Sequence, residues 1–167
     1  MNKFILNYLG LFFILLSVLS FFNIVYSYYF NLYLNINTYF YTFLISIIIG
    51  LISFFYKSFD SKITIYQKIF TVFIGYILLP LVIAIPFYLS IYNVSFLDCY
   101  FEAISGFTST GFTIFDNIKH IDESLILWRS TSQWIGGIYF LFSILLLIDI
   151  FDDNLKKSLT YFISFNY

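Results

Sequence analysis

The segment Phe101-Glu102-Ala103-Ile104-Ser105-Gly106-Phe107-Thr108-Ser109-Thr110-Gly111-Phe112-Thr113 sets a hydroxyl-rich, glycine-bearing stretch between apolar runs long enough to cross a bilayer. Few sequence features constrain a fold more tightly. Hydrocarbon offers backbone amides and carbonyls no partners, so irregular chain at membrane depth survives only where protein covers it or it lines a watery cavity. A polar loop that dips into such a place keeps carbonyl oxygens free for cations and looks like one quarter of an ion selectivity filter.

The remainder of the chain agrees with a lipid solvent. Of its 167 residues, 61% are hydrophobic, 25% aromatic and only 10% charged, too little polar surface for a soluble domain. A formal net charge of -1 leaves no basic face to displace counterions, which excludes nucleic acid as a partner. The single cysteine, Cys99, cannot form an intrachain disulfide and reads as a small apolar filler.

Apolar runs at residues 4–26, 38–56, 68–92 and 124–150 each approach or exceed the ~20 helical residues that a ~30 Å hydrocarbon core requires. Lys3 before the first run has the outline of a signal peptide. The weak cleavage site at Ser20 and the aromatic residues crowding the far end favour a retained helix. Pro80 and Pro86 in the third run each remove an amide donor and predict a bend.

Between residues 93 and 124 the apolar pattern breaks. Ser95 followed by Asp98 is a capping-box spacing, so a helix should start there and stop near Gly106 or Phe107, about 16 Å long at the helical rise. Half a bilayer is too short to cross. Such a helix must be re-entrant or lie on the interface, and the loop that follows favours re-entrant. Its carbonyl end, the negative half of the helix dipole, would then stabilise a cation near the membrane centre.

In the last run, Trp128 and Trp134 are expected at the interface, and Arg129 must snorkel or find a carboxylate, for which Glu102 is the candidate. Ser132 and Gly136 form a small-xxx-small pair, with Gly137 adjoining, that admits a second helix closely. Lys57, Lys62 and Lys68 mark the second loop as cytoplasmic. The amino terminus is then cytoplasmic, residues 93–123 are external and Lys156 and Lys157 are cytoplasmic again, with Lys119 the exception. The lone histidine, His120, reads as solvated. No HExxH, GxSxG or P-loop lysine pattern is present, and Asp149, Asp152 and Asp153 read as a solvated helix end, so the chain is read as no enzyme.

Three ordered stretches, Pro86-Phe87-Tyr88-Leu89-Ser90, the segment from Phe101 to Gly111, and Leu127-Trp128-Arg129-Ser130-Thr131-Ser132-Gln133-Trp134-Ile135-Gly136-Gly137, resemble successive signatures of the TrkH type of potassium transporter in the Trk/Ktr/HKT superfamily. The resemblance implies an all-α integral membrane protein. Residues 1–66 would be two leading transmembrane helices and a cytoplasmic loop. Residues 67–153 would be one of four repeats, each a membrane helix, a re-entrant pore helix and loop, and a second membrane helix. Residues 154–167 would be a truncated cytoplasmic tail.

By position, Gly111 corresponds to the filter glycine of that family, and the ion path falls to Thr108, Ser109, Thr110, Gly111, Phe112 and Thr113. Potassium, as transported substrate rather than cofactor, would be held by the backbone carbonyls of Ser109, Thr110 and Gly111, with Glu102 and Arg129 as scaffold. Glycine suits position 111 because the loop must reach a positive φ that a Cβ obstructs. The implied partners are membrane lipid, the remaining pore repeats from the same or other chains, and a cytoplasmic nucleotide-binding regulatory ring. The implied location is the plasma or inner membrane. A single repeat leaves backbone groups open to lipid on its free sides, so the alternative is an incomplete, non-conducting fragment or a structural membrane subunit.

Overall fold

A computed structural model describes residues 3–55, 64–115 and 121–164, with side chains for residues 7–55, 64–115 and 121–148. Regular structure among them is entirely helical: α1 (Lys3–Tyr29), α2 (Ile36–Phe55), α3 (Ile65–Tyr88), α4 (Phe96–Phe107) and α5 (Glu123–Ser164). Four stretches, Asn7–Tyr29, Ile36–Phe55, Ile65–Tyr88 and Glu123–Ile148, are long and apolar enough to cross a membrane. The chain is an all-α, multi-pass membrane protein. Helix α4, with 12 residues, is ~18 Å long and too short to cross.

Two boundaries depart from the sequence reading. Helix α3 stops at Tyr88, and the chain turns through Asn93 at φ 48°, a left-handed conformation that asparagine tolerates better than most residues. Helix α5 runs on to Ser164, past the expected end of the last span at residue 150, because no glycine or proline follows Gly137 to stop it.

Helices α1 and α2 form a tight pair. The turn between them is a Schellman motif: Asn31 sits at φ 58°, Leu32 N donates to Ser27 O at 2.8 Å and Asn31 N to Tyr28 O at 3.3 Å. Small residues let the backbones approach, and a Cβ at Gly10 would come within 2.8 Å of Ser53 Cβ. Two hydroxyls inside this seam find carbonyls, Ser20 Oγ donating to Tyr39 O at 2.7 Å and Ser46 Oγ to Thr42 O at 2.7 Å. That removes the cost of burying them in an apolar setting.

The prolines of α3 explain where two large side chains go. A proline removes the amide for the carbonyl four residues earlier and loosens the turn it bends, leaving carbonyls there in need of donors. Tyr100 Oη donates to Ile77 O at 3.1 Å, beside Pro80, and Trp128 Nε1 to Ile83 O at 3.0 Å, beside Pro86. Trp128 is therefore fully buried at 0% exposure, against the expectation of an interfacial position, whereas Trp134 is 62% exposed. Helix α3 continues through both prolines. Below them lies an aromatic cluster in which Tyr139 packs against Phe12 at 4.8 Å, Tyr76 at 5.1 Å and Phe107 at 5.4 Å between ring centroids.

A polar brace joins the α1–α2 turn to the start of α5. Asp122 caps α5 by accepting from Leu125 N and Ile126 N through its backbone carbonyl, and its carboxylate accepts from Asn35 Nδ2 at 2.9 Å and from Ser124 Oγ. Tyr39 Oη lies 2.9 Å from Ser124 Oγ, and Asp122 N donates to Tyr92 Oη at 2.8 Å. Two segments distant in sequence, residues 35–39 and Tyr92, thereby hold the end of α5 that carries Arg129.

Candidate ion-coordinating loop

Helix α4 begins as the sequence suggests, with one difference. Ser95 Oγ accepts from Asp98 N at 3.3 Å, but the Asp98 carboxylate accepts from Ser95 Oγ at 2.7 Å rather than from the Ser95 amide. Only half of the reciprocal box forms. From there α4 runs between α3 and α5, and its last turn packs where α5 carries small residues. A Cβ on Gly106 would strike Ser132 Oγ, and one on Gly136 would strike the Phe107 carbonyl. Gly136 lies 13 residues beyond Glu123, about 20 Å along α5 and near the middle of its Glu123–Ile148 span.

The end of α4 is closed by a second Schellman motif. Ser109, at φ 57°, donates its amide to Gly106 O at 3.0 Å, while Thr110 N donates to Ser105 O at 3.0 Å and Thr108 N to Ile104 O at 2.8 Å. The carbonyls of Ile104, Ser105 and Gly106 are therefore occupied by the loop's own amides. Free acceptors lie farther along: among the described residues nothing donates to the carbonyls of Ser109 and Thr110. Gly111 sits at φ +80°, with open space around the position of a Cβ, so glycine is required there by backbone conformation rather than by crowding.

Glu102 and Arg129 meet behind this loop. Arg129 Nε lies 2.6 Å from Glu102 Oε1, with side-chain exposures of 13% and 0%. Its N–H does not point along that line, so the contact is an ion pair rather than a directed hydrogen bond. Each partner also grips the loop. Arg129 Nη2 donates to Gly111 O and Phe112 O at 3.3 Å each, and Glu102 accepts from Ile114 N at 2.9 Å and Thr113 Oγ1 at 3.3 Å. The Gly111 carbonyl is thus shared with a guanidinium, unlike those of Ser109 and Thr110.

The hydroxyls mostly face inward. Thr108 Oγ1 donates to Ile104 O at 2.8 Å, and Thr110 Oγ1 reaches Ser105 O at 3.1 Å. Residues 108–112 are nevertheless exposed, with Phe112 at 69%. A residue the sequence reading left without a role, Ser105, donates from Oγ to Phe112 O at 2.7 Å. Nothing local signals this; Ser105 reads as an ordinary helix-end serine until the loop folds back on it.

The fold and loop define a class: a multi-pass helical membrane protein in which a half-length helix delivers an exposed turn of free carbonyls, with a buried ion pair behind it. No family model matches the chain. It is similar to an uncharacterized cation transporter of Methanocaldococcus jannaschii, 46% identical over 55 residues, or 33% of this chain and 12% of that protein. It is also similar to the Trk system potassium uptake protein TrkI of Halomonas elongata, 40% identical over 60 residues, 36% of this chain and 11% of that one. A third relative is TrkG of Escherichia coli, 34% identical over 64 residues, 38% of this chain and 13% of that one. These similarities support a TrkH-type segment within the chain, and the matched stretch spans about a tenth of the length of those relatives.

Proposed function

We propose that this chain contributes one wall of a potassium-conducting pore of the TrkH type, through which the ion moves passively under the control of a filter that includes residues 108–113. The observation that carries the reading is the loop itself: Gly111 at φ +80° turns an exposed backbone whose Ser109 and Thr110 carbonyls have no donor among the described residues, while Arg129 and Glu102 hold the next residues from behind. Carbonyls in that state can replace the hydration shell of a cation. Residues 1–66 then serve as leading helices and residues 67–153 as the pore repeat. Lipid, further pore repeats and a cytoplasmic nucleotide-binding ring are the proposed partners. A non-conducting structural subunit is favoured by one feature, the exposure of residues 108–112, which need walls from other repeats before they enclose an ion.

Rubidium and potassium flux through an assembled pore containing this loop separates the two readings. In a conducting assembly, Gly111→Ser places a Cβ at positive φ, a strain of about 1–2 kcal/mol. Relieving it by turning carbonyls off the ion should lower the potassium-to-sodium permeability ratio by about five- to thirtyfold. An unchanged ratio would take Gly111 out of the ion path.

We also propose the orientation set by the lysines, amino terminus cytoplasmic and α4 entering from outside. Lys62 and His120 lie outside the described residues, so the test is chemical. In a Cys99→Ser background, Lys62→Cys and Lys156→Cys should react with a membrane-impermeant maleimide only from the cytoplasmic side, and His120→Cys only from the external side. Labelling of position 120 from the cytoplasm alone contradicts the re-entrant arrangement.

A further inference from the structure

We propose that Ser105 is a positioning residue for ion selectivity, its hydroxyl setting which loop carbonyls face the ion. This rests on reading residues 108–113 as a filter wall. Ser105 is 3% exposed in the last turn of α4 and touches both limbs of the turn around Gly111. Its carbonyl accepts from Thr110 N at 3.0 Å and from Thr110 Oγ1 at 3.1 Å. On the other limb, Ser105 Oγ donates to Phe112 O at 2.7 Å, and the same oxygen lies 3.2 Å from Thr110 Oγ1.

The consequence follows from the order of the carbonyls. Phe112 O is drawn back toward α4 by Ser105 and held there by Arg129 Nη2 at 3.3 Å, and Gly111 O shares that guanidinium. Ser109 O and Thr110 O lie on the far side of the Gly111 turn and have no donor among the described residues. Of the bonds that fix Phe112 O, the one from Ser105 is the shorter. Without it the carbonyl keeps only the long contact to Arg129, and the turn between positions 110 and 112 loses its tie. A carbonyl set discriminates between cations through its size or through the number and field strength of its dipoles, and loosening the turn relaxes both.

The test is the potassium-to-sodium permeability ratio of the assembled, conducting pore carrying Ser105→Ala or Ser105→Cys, with Gly111→Ser as reference. The ratio should fall in the order Ser, Cys, Ala, because a thiol is a weaker donor than a hydroxyl and a methyl is none. For Ser105→Ala the fall should be about two- to tenfold, the range that one hydrogen bond is worth. A packing role would instead follow volume, with Ala and Cys on opposite sides of Ser. A normal ratio in Ser105→Ala alongside a lowered one in Gly111→Ser overturns the role of Ser105 and leaves the filter reading standing. Normal ratios in all variants remove the filter reading and this inference with it. Should Ser105→Ala fail to assemble, an unchanged ratio in Ser105→Cys overturns the proposal alone.

Discussion

Arg129→Gln should destabilise the protein by about 3–5 kcal/mol, the cost of leaving a buried charge without its partner. Glu102 is completely buried, and without the guanidinium 2.6 Å away its carboxylate keeps, among the described residues, Ile114 N and Thr113 Oγ1. Glu102→Gln should cost less. Arg129 retains some exposure and the carbonyls of Gly111 and Phe112, and glutamine can still accept from Ile114 N. Thermal unfolding of the two single variants and the double variant in detergent measures the coupling, and the double variant should lose clearly less than the sum. Strictly additive losses would mean that the two side chains do not act on each other.

Gly136→Ala should have the other large effect, and Gly137→Ala a smaller one of the opposite sign. A methyl at position 136 points into the Phe107 backbone carbonyl, which cannot rotate aside as a flexible side chain can, so α4 must shift away from α5. Overpacking typically costs about 1–3 kcal/mol, and against backbone the upper end applies. At Gly137 nothing lies within 4 Å of a Cβ, and alanine has the better helix propensity by about 1 kcal/mol. Adjacent glycines in one helix therefore predict opposite signs. Comparing the melting midpoints of the two variants checks this, and equal destabilisation would show that the contact between the end of α4 and α5 is not tight. The displaced α4 should also carry residues 108–113 with it, so Gly136→Ala should impair flux in a conducting assembly.

Much of this architecture is written in local pattern. The lengths of the apolar runs yield the four spans to within a few residues, because hydrocarbon thickness is a fixed requirement on any helix that crosses it. Ser95 marks the start of α4, since a helix's first amides must be met by a neighbouring side chain. Gly111 announces its positive φ, and the Glu102–Arg129 pair is legible because an ionisable residue among apolar ones must find a counter-charge.

What the tertiary structure alone decides is where donors and acceptors far apart in sequence meet. Trp128 looks interfacial until the carbonyl of Ile83, 45 residues away, draws its indole inward. Asn35 and Asp122, 87 residues apart, look like ordinary loop polars until they brace α5. The dipole argument points a cation at the carbonyl end of α4, but the Schellman turn occupies the carbonyls of Ile104, Ser105 and Gly106, and of the loop carbonyls at 109–111 that of Gly111 is taken by distant Arg129. Ser105 gains its place only when Phe112 returns within 2.7 Å of its hydroxyl. Span length, caps and backbone handedness depend on a few neighbouring residues, whereas the partner of a buried polar group depends on which distant segment the packed helices bring beside it.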